Sequence, residues 1–285
     1  MKIKLTDEIR AKIEFADKYI SEEVTKDNSE IAKAMAYSVL AGGKRIRPLL
    51  AILACEALGG KAEDVMPMAA AIEAVHCYSL IHDDLPAMDD DDFRRGKPSN
   101  HKVFGEAMAI LAGDALLTEA FSLICKAEIL DTQKVKATEI LARRAGKDGM
   151  VLGQALDMKG TDNLESLLEI YRRKTSDLLC AALSMGALAA GGSGHEFDEF
   201  GEKIGIAFQI KDDILDVLST EEVLGKPICS DEKNDKKTSL KFISLDEAQK
   251  MVSSLSEEGK NSIEFTGKAG DNLRLLADYL IFREY

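Results

Sequence analysis

The chain has 285 residues, 46% of them hydrophobic, with no Trp, five prolines and a formal net charge of -13. That length allows two domains or one large one and enough apolar residues for a deep core. The charge excludes a nucleic-acid or anionic-membrane partner for the molecule as a whole. Five cysteines (Cys55, Cys77, Cys125, Cys180 and Cys229) form no CxxC pair. All but Cys229 lie in or near apolar stretches, which predicts buried free thiols in a reducing compartment and neither a zinc site nor a disulfide framework.

The opening segment "MKIKLTDEIRAKIEF" is charged throughout and lacks the apolar centre of a signal peptide, so a soluble cytoplasmic protein is expected. Ile9, Ile13, Ala16, Ile20 and Val24 recur at steps of three and four, one apolar face of a first helix. In "AGGKRIRP" Gly42 and Gly43 read as a helix end and Pro48 as the first turn of the next. Lys44, Arg45 and Arg47 therefore gather at a helix N-terminus, where free N–H groups and the dipole favour an anion. Ordinary surface basicity explains such a cluster about as well. Three cations beside two glycines in an acidic chain favour phosphate.

Next comes the apolar-rich "AAAIEAVHCYSL", followed at once by "LIHDDLPAMDDDDFRRGK". An acidic run alone is most often a solvated loop. A calcium loop counted from Asp89 fails, because Phe93 and Arg94 stand where a ligand and a glycine are needed. On an unbroken helix Asp83 and Asp89 would lie about 240° apart. Pro86 between them distorts the helix, so a bulge can return Asp89 to the side of Asp83. His76 is about two turns before Asp83 and shares its face, whereas His82 points elsewhere. The two histidines are too poorly spaced for zinc.

Farther along, Leu178 to Ala190 reads as a buried helix too short to span a bilayer. Phe200, Ile204, Ala207, Phe208 and Leu215 mark another helix, which carries "FQIKDDILD". Asp212 and Asp216 lie about 40° apart on one face, with Asp213 about 100° round from Asp212. Carboxylates crowded on an apolar helix repel unless a cation joins them, and a hard divalent ion with oxygen ligands serves. "KFISL" (241–245) is the best strand candidate. No linker, composition shift or repeat divides the chain, which predicts one all-α domain over residues 1–285.

These segments, "GGKRIRP", "DDLPAMDDDDFRRGKP", "YRRKT", "FQIKDDILD" and "LGKP…DEKNDKKTS", stand in the order found in trans-isoprenyl diphosphate synthases. The chain most resembles the bacterial short-chain farnesyl diphosphate synthases over roughly residues 30–285. The resemblance implies a bundle of about ten core helices around a deep cavity, as a homodimer without membrane insertion. It implies about three Mg²⁺ ions held against an allylic diphosphate by Asp83, Asp89 and Asp212, with Asp84, Asp213 and Asp216 in support. Arg94, Lys174, Lys226 and Lys236 resemble the allylic diphosphate contacts, and Lys44, Arg47, His76 and Arg95 those for isopentenyl diphosphate. Thr175 and Gln209 match positions near the reacting carbon. Tyr78, five residues before Asp83, matches an aromatic floor that stops growth at fifteen carbons, with Ser79 beside it. Where similar sequences commonly read "KSTYV", this chain reads "KKTSL" (236–240), keeping the lysine and lacking the aromatic.

The implied reaction is head-to-tail condensation of isopentenyl diphosphate with dimethylallyl or geranyl diphosphate to farnesyl diphosphate. A C20 product is the alternative. A class I terpene cyclase would not need both "DDILD" and "GGKRIRP", and a non-catalytic regulatory subunit would lack the second acidic cluster.

Overall fold

The computed structural model describes residues 3–24, 26–224 and 238–282. Among them the all-α expectation holds: there are thirteen α-helices, and the only sheet is a two-stranded hairpin. The contacts gather into two compact units. One comprises Thr6–Leu141 with Ala182–Gly194, the other chiefly Ala142–Ala181 and the chain from His195 onward.

In the unit containing the N-terminal helices, α4 (Ala62–Asp83) is the spine. It packs on α3 (Ile46–Ala57), α6 (Glu106–Lys126), α1 (Asp7–Val24) and α2 (Glu30–Val39). Every residue from Val65 to Val75 is buried, so this helix is apolar on all sides, as a core helix must be. Its Ala, Met and Ile residues suit it to that role, and Glu63 and Asp64 meet the positive end of its dipole. Burial of Glu73 is balanced by Arg45, which donates to Glu73 at 2.6 Å, to Asp17 at 2.5 Å and to the Val39 carbonyl at 2.7 Å. Arg45 is 4% exposed and binds α1, α2 and α4 together, so it leaves the cation cluster in which the sequence places it. A buried charge so paired is costly to break.

One expectation about apolar stretches holds and one needs correction. The segment at 178–190 is the buried helix expected, most of its residues from Leu178 to Leu188 being buried. Among the described residues α6 is long and apolar enough to cross a membrane, with 39% of that apolar stretch buried. Its outer face carries Ile110, Leu111 and Cys125, so Cys125 is exposed while Cys55, Cys77 and Cys180 are buried. Apolar composition alone does not distinguish a face turned to the core from one turned outward.

In the other unit α11 (Asp198–Leu224) packs on α12 (Leu245–Ser262), α9 (Leu164–Tyr171) and α13 (Asp271–Ile281). The strand expected at 241–245 is absent. Ser239–Lys241 form a 3-10 turn, and Ser244 caps α12, its hydroxyl and the Glu247 carboxylate closing a reciprocal capping box. Capping chemistry overrides the short apolar stretch.

Candidate functional site

The first acidic segment begins where α4 ends. Asp84 still donates its N–H to the Leu80 carbonyl, and then the chain turns so that the Asp89 N–H reaches the Asp83 carbonyl at 2.8 Å. Pro86 therefore lies in a turn beyond the helix, not in a kinked helix. The consequence drawn from the spacing is nevertheless met, since the Asp89 backbone stands against that of Asp83. Asp83 is half-buried and Asp89 exposed. Asp84 turns inward, 2% exposed, and accepts from Arg94 Nε at 2.8 Å and Nη2 at 2.5 Å. Burial pushes the Asp84 carboxyl up, against the pull of Arg94.

Strands β1 (Phe93–Arg94) and β2 (Lys97–Pro98) form the hairpin that aims the next two cations. Its turn residues, Arg95 and Gly96, both have positive φ, as a tight two-residue hairpin turn requires. Arg94 faces Asp84 and Asp91, whereas Arg95 crosses to the glycine turn, donating to the Gly42 carbonyl. Arg95 Nη2 also lies 3.5 Å from His76 Nε2. Arg47 belongs to the same group, and its Nε is buried without a hydrogen-bond partner. Burial holds the His76 imidazole well below its usual range, and Arg47 and Arg95 push it the same way. The result is a neutral hydrogen-bonding ring among guanidinium groups, suited to an anion. Lys44 stands exposed at the rim of this turn.

Tyr78 is 7% exposed and sits edge-on to His82 at 5.7 Å; burial, then the Asp83 charge, pushes its hydroxyl up to about 12. Ser79 donates to the His76 carbonyl at 2.9 Å within the helix. One and two turns before Tyr78, Ala74 and Ala70 line a hollow of about 400 Å³ with Ile20, Met35, Leu116 and Leu123, which also has charged lining residues, among them Glu23, Glu119 and Lys126.

In the other unit, "YRRKT" forms a π-helix over Arg172–Ser176, directly after α9. Such single-turn insertions are frequent at functional sites. Gly153 of α8 (Met150–Lys159) and Gly205 of α11 lie against it so closely that a Cβ on either would collide with Lys174 backbone or Ser176. Lys174 is held by Asp157 at 2.6 Å, and Thr175 donates to Gln209 at 3.0 Å. Asp212 is half-buried and Asp216 exposed, while Asp213, 5% exposed, accepts from Tyr171 and Ser239. Burial again pushes this carboxyl up, opposed by those donors. Lys226 and Lys236 lie outside the described residues.

Sequence reasoning missed Asp157, Tyr171 and Ser239. Tyr171 stands inside a quoted motif without a role, and no periodicity distinguishes Asp157 from a surface acid. Among the described residues no three acidic, His or Cys side chains form a ready metal cage. The donors are nonetheless carboxylate oxygens, and Mg²⁺ is typically held by one or two carboxylates plus substrate phosphates. The residues present fit that ion.

A family model described as polyprenyl synthetase matches residues 28–268. A farnesyl diphosphate synthase of Geobacillus stearothermophilus is 46% identical over 266 residues, which cover 90% of each chain. A chloroplastic geranylgeranyl pyrophosphate synthase of Capsicum annuum is 44% identical, over 92% of this chain and 73% of that one. The solved apo structure of an FPP/GFPP synthase from Zymomonas mobilis superposes with a TM-score of 0.87 at 31% identity, covering 99% of this chain and 100% of that one.

Proposed function

The chain belongs to the polyprenyl synthetase family, and from that premise we propose that it is a prenyltransferase making farnesyl diphosphate. It joins isopentenyl diphosphate head-to-tail to dimethylallyl and then geranyl diphosphate, releasing diphosphate. The observation that carries this reading is the division of the anion-binding groups. Arg47, His76 and Arg95 converge, and among the described residues neither arginine forms an ion pair, while Arg94 and Lys174 are each tied to a carboxylate. One diphosphate held by side chains alone and one held beside carboxylates is what condensation of two diphosphates needs.

Asp83, Asp89 and Asp212 are the proposed Mg²⁺ ligands, about three ions binding with the allylic diphosphate, as the family resemblance implies. When bound, Mg²⁺ supplies Lewis-acid stabilisation of the leaving diphosphate. Arg94, Lys174, Lys226 and Lys236 stabilise the same charge electrostatically as the C1–O bond breaks. Lys44, Arg47, His76 and Arg95 hold isopentenyl diphosphate with its double bond directed at C1. Thr175 and Gln209 line the reacting end, and the proton lost after attack goes to the departing diphosphate. Asp84, Asp213 and Asp216 support the ligands.

Residues 1–285 are taken as one synthase domain with the isoprenoid synthase fold, since the matched span crosses both compact units. A cytoplasmic homodimer is part of the same reading. The exposed Ile110 and Leu111 on α6 supply an apolar face for a second copy. Tyr78 closes the chain path at C15. A C20 product is the second reading, favoured by the hollow lined by Ala70 and Ala74. Purified protein incubated with Mg²⁺, labelled isopentenyl diphosphate and dimethylallyl diphosphate tests both. Chromatography of the dephosphorylated products should give farnesol; geranylgeraniol as the main product would select the second reading, and no prenyl alcohol would refute both.

A further inference from the structure

Asp213 belongs to an acidic motif, yet its position is that of a buried anchor. A single oxygen, Oδ2, accepts three hydrogen bonds: from Tyr171 Oη at 2.5 Å, from Ser239 N at 2.8 Å and from Ser239 Oγ at 2.7 Å. All three residues are buried, Tyr171 at 7%, Asp213 at 5% and Ser239 at 0% exposure. With Oδ2 so occupied and the residue only 5% exposed, the carboxylate has little capacity left for a hydrated metal ion and is fixed by these donors.

The three residues come from three different segments. Tyr171 is the last residue of α9, immediately before the π-helix that carries Lys174 and Thr175. Asp213 lies on α11 beside Asp212, one turn after Gln209, which accepts from Thr175 at 3.0 Å. Two bonds one turn apart, Thr175–Gln209 and Tyr171–Asp213, therefore stitch the π-helix to α11. Ser239 begins the 3-10 turn three residues after Lys236 and stands at the aromatic position of "KSTYV". Its small side chain lets both the backbone N–H and the hydroxyl reach the same carboxylate oxygen.

We propose that Tyr171, Asp213 and Ser239 form a positioning clamp that fixes the π-helix and the start of the 239–241 turn to α11, and that Asp213 is not a metal ligand. The clamp rests on the prenyltransferase reading, because what it positions is Lys174 and Thr175 toward the allylic diphosphate. The substitution that separates the two roles is Asp213→Asn. Its amide oxygen can take all three donors, whereas a metal ligand loses its charge.

The experiment measures kcat, KM for each substrate and the half-saturating Mg²⁺ concentration for five proteins: wild type, Asp213→Asn, Asp213→Ala, Tyr171→Phe and Ser239→Ala. The clamp predicts that Asp213→Asn stays within about tenfold of wild-type kcat/KM, with an unchanged Mg²⁺ requirement. Asp213→Ala should lose about 100-fold, since small misplacements of reacting groups cost that much. The loss should appear in the allylic KM and kcat and leave the isopentenyl diphosphate KM within about twofold. Tyr171→Phe and Ser239→Ala should each lose part of it, and their effects should not add to that of Asp213→Ala. If Asp213→Ala does not fold, the Tyr171→Phe/Ser239→Ala double variant takes its place. An Asp213→Asn protein as impaired as Asp213→Ala, with a raised Mg²⁺ requirement, would overturn the clamp and make Asp213 a ligand. A wild-type protein that forms no prenyl diphosphate would instead overturn the function on which the clamp rests.

Discussion

At the end of α4, Asp83 stands half-buried while Asp84 turns inward to the Arg94 guanidinium; in the middle of α11, Asp212 stands half-buried while Asp213 turns inward to Tyr171 and Ser239. The first pair sits where a helix gives way to a turn, and the second on an uninterrupted helix. In both, the first of two adjacent aspartates is half-buried and the second is turned inward onto buried or half-buried donors. The difference is in the donors. A charged, partly hydrated arginine satisfies Asp84, whereas neutral and almost wholly buried groups satisfy Asp213. Consecutive identical residues in an acidic motif thus need not share a role, because neighbouring positions on a helix point about 100° apart.

The largest effect should separate the first aspartate of each pair from the second. Asp83→Ala or Asp212→Ala should reduce turnover by about 10²-fold or more, the scale of losing one group that stabilises developing charge. Circular dichroism should show the fold intact. Near-normal turnover in either variant would remove that residue from the proposed ligands and break the symmetry between the segments.

A second test asks whether the acidic segments serve one diphosphate only. Arg47→Ala should raise the Michaelis constant for isopentenyl diphosphate about 10- to 100-fold, the worth of a charge-assisted hydrogen bond, and leave the allylic constant less affected. Lys226→Ala should do the reverse. Equal effects on both substrates would merge the two anion sites into one.

The segments also differ five residues before their first aspartate, where the first has Tyr78 and the second has the small, buried Ala207. In the proposed reading only the first carries a stop. Tyr78→Ala should open an aromatic ring's volume, giving C20 or longer products. A C15 product from that variant would move the stop to other residues.

Much of this comparison is legible in the sequence, for identifiable reasons. Asp212 and Asp216 share a face because α11 is unbroken, so a fixed angle per residue suffices. The return of Asp89 to Asp83 follows from Pro86, although the proline ends up in a turn and not in a kink. Arg45 is not legible. Nothing local distinguishes it from Lys44 and Arg47, and its burial is decided by Asp17 and Glu73, each 28 residues away. Nor is the Tyr171–Asp213–Ser239 contact, which joins positions 42 and 26 residues apart. Period and capping are local, whereas the pairing of buried polar groups depends on tertiary packing.

The smallest effect is one of stability, and it tests the difference between the donors. In Asp84→Ala the guanidinium of Arg94, whose side chain is 35% exposed, can turn to water and to Asp91. The loss should be about 1–2 kcal/mol, the worth of one hydrogen bond to a charged group less what hydration restores. In Asp213→Ala the Tyr171 hydroxyl and both donors of Ser239, almost wholly buried, lose their shared acceptor. Each buried donor left unpaired costs about 1–3 kcal/mol, so the total should exceed that of Asp84→Ala by at least about 1 kcal/mol. In a chain of this size each kcal/mol corresponds to about 2–4 °C in Tm. Thermal melts of the two variants without substrate or Mg²⁺ should therefore place Asp213→Ala several degrees below Asp84→Ala. The reverse order would mean that the Arg94 pair, and not the neutral clamp, is the more tightly held of the two.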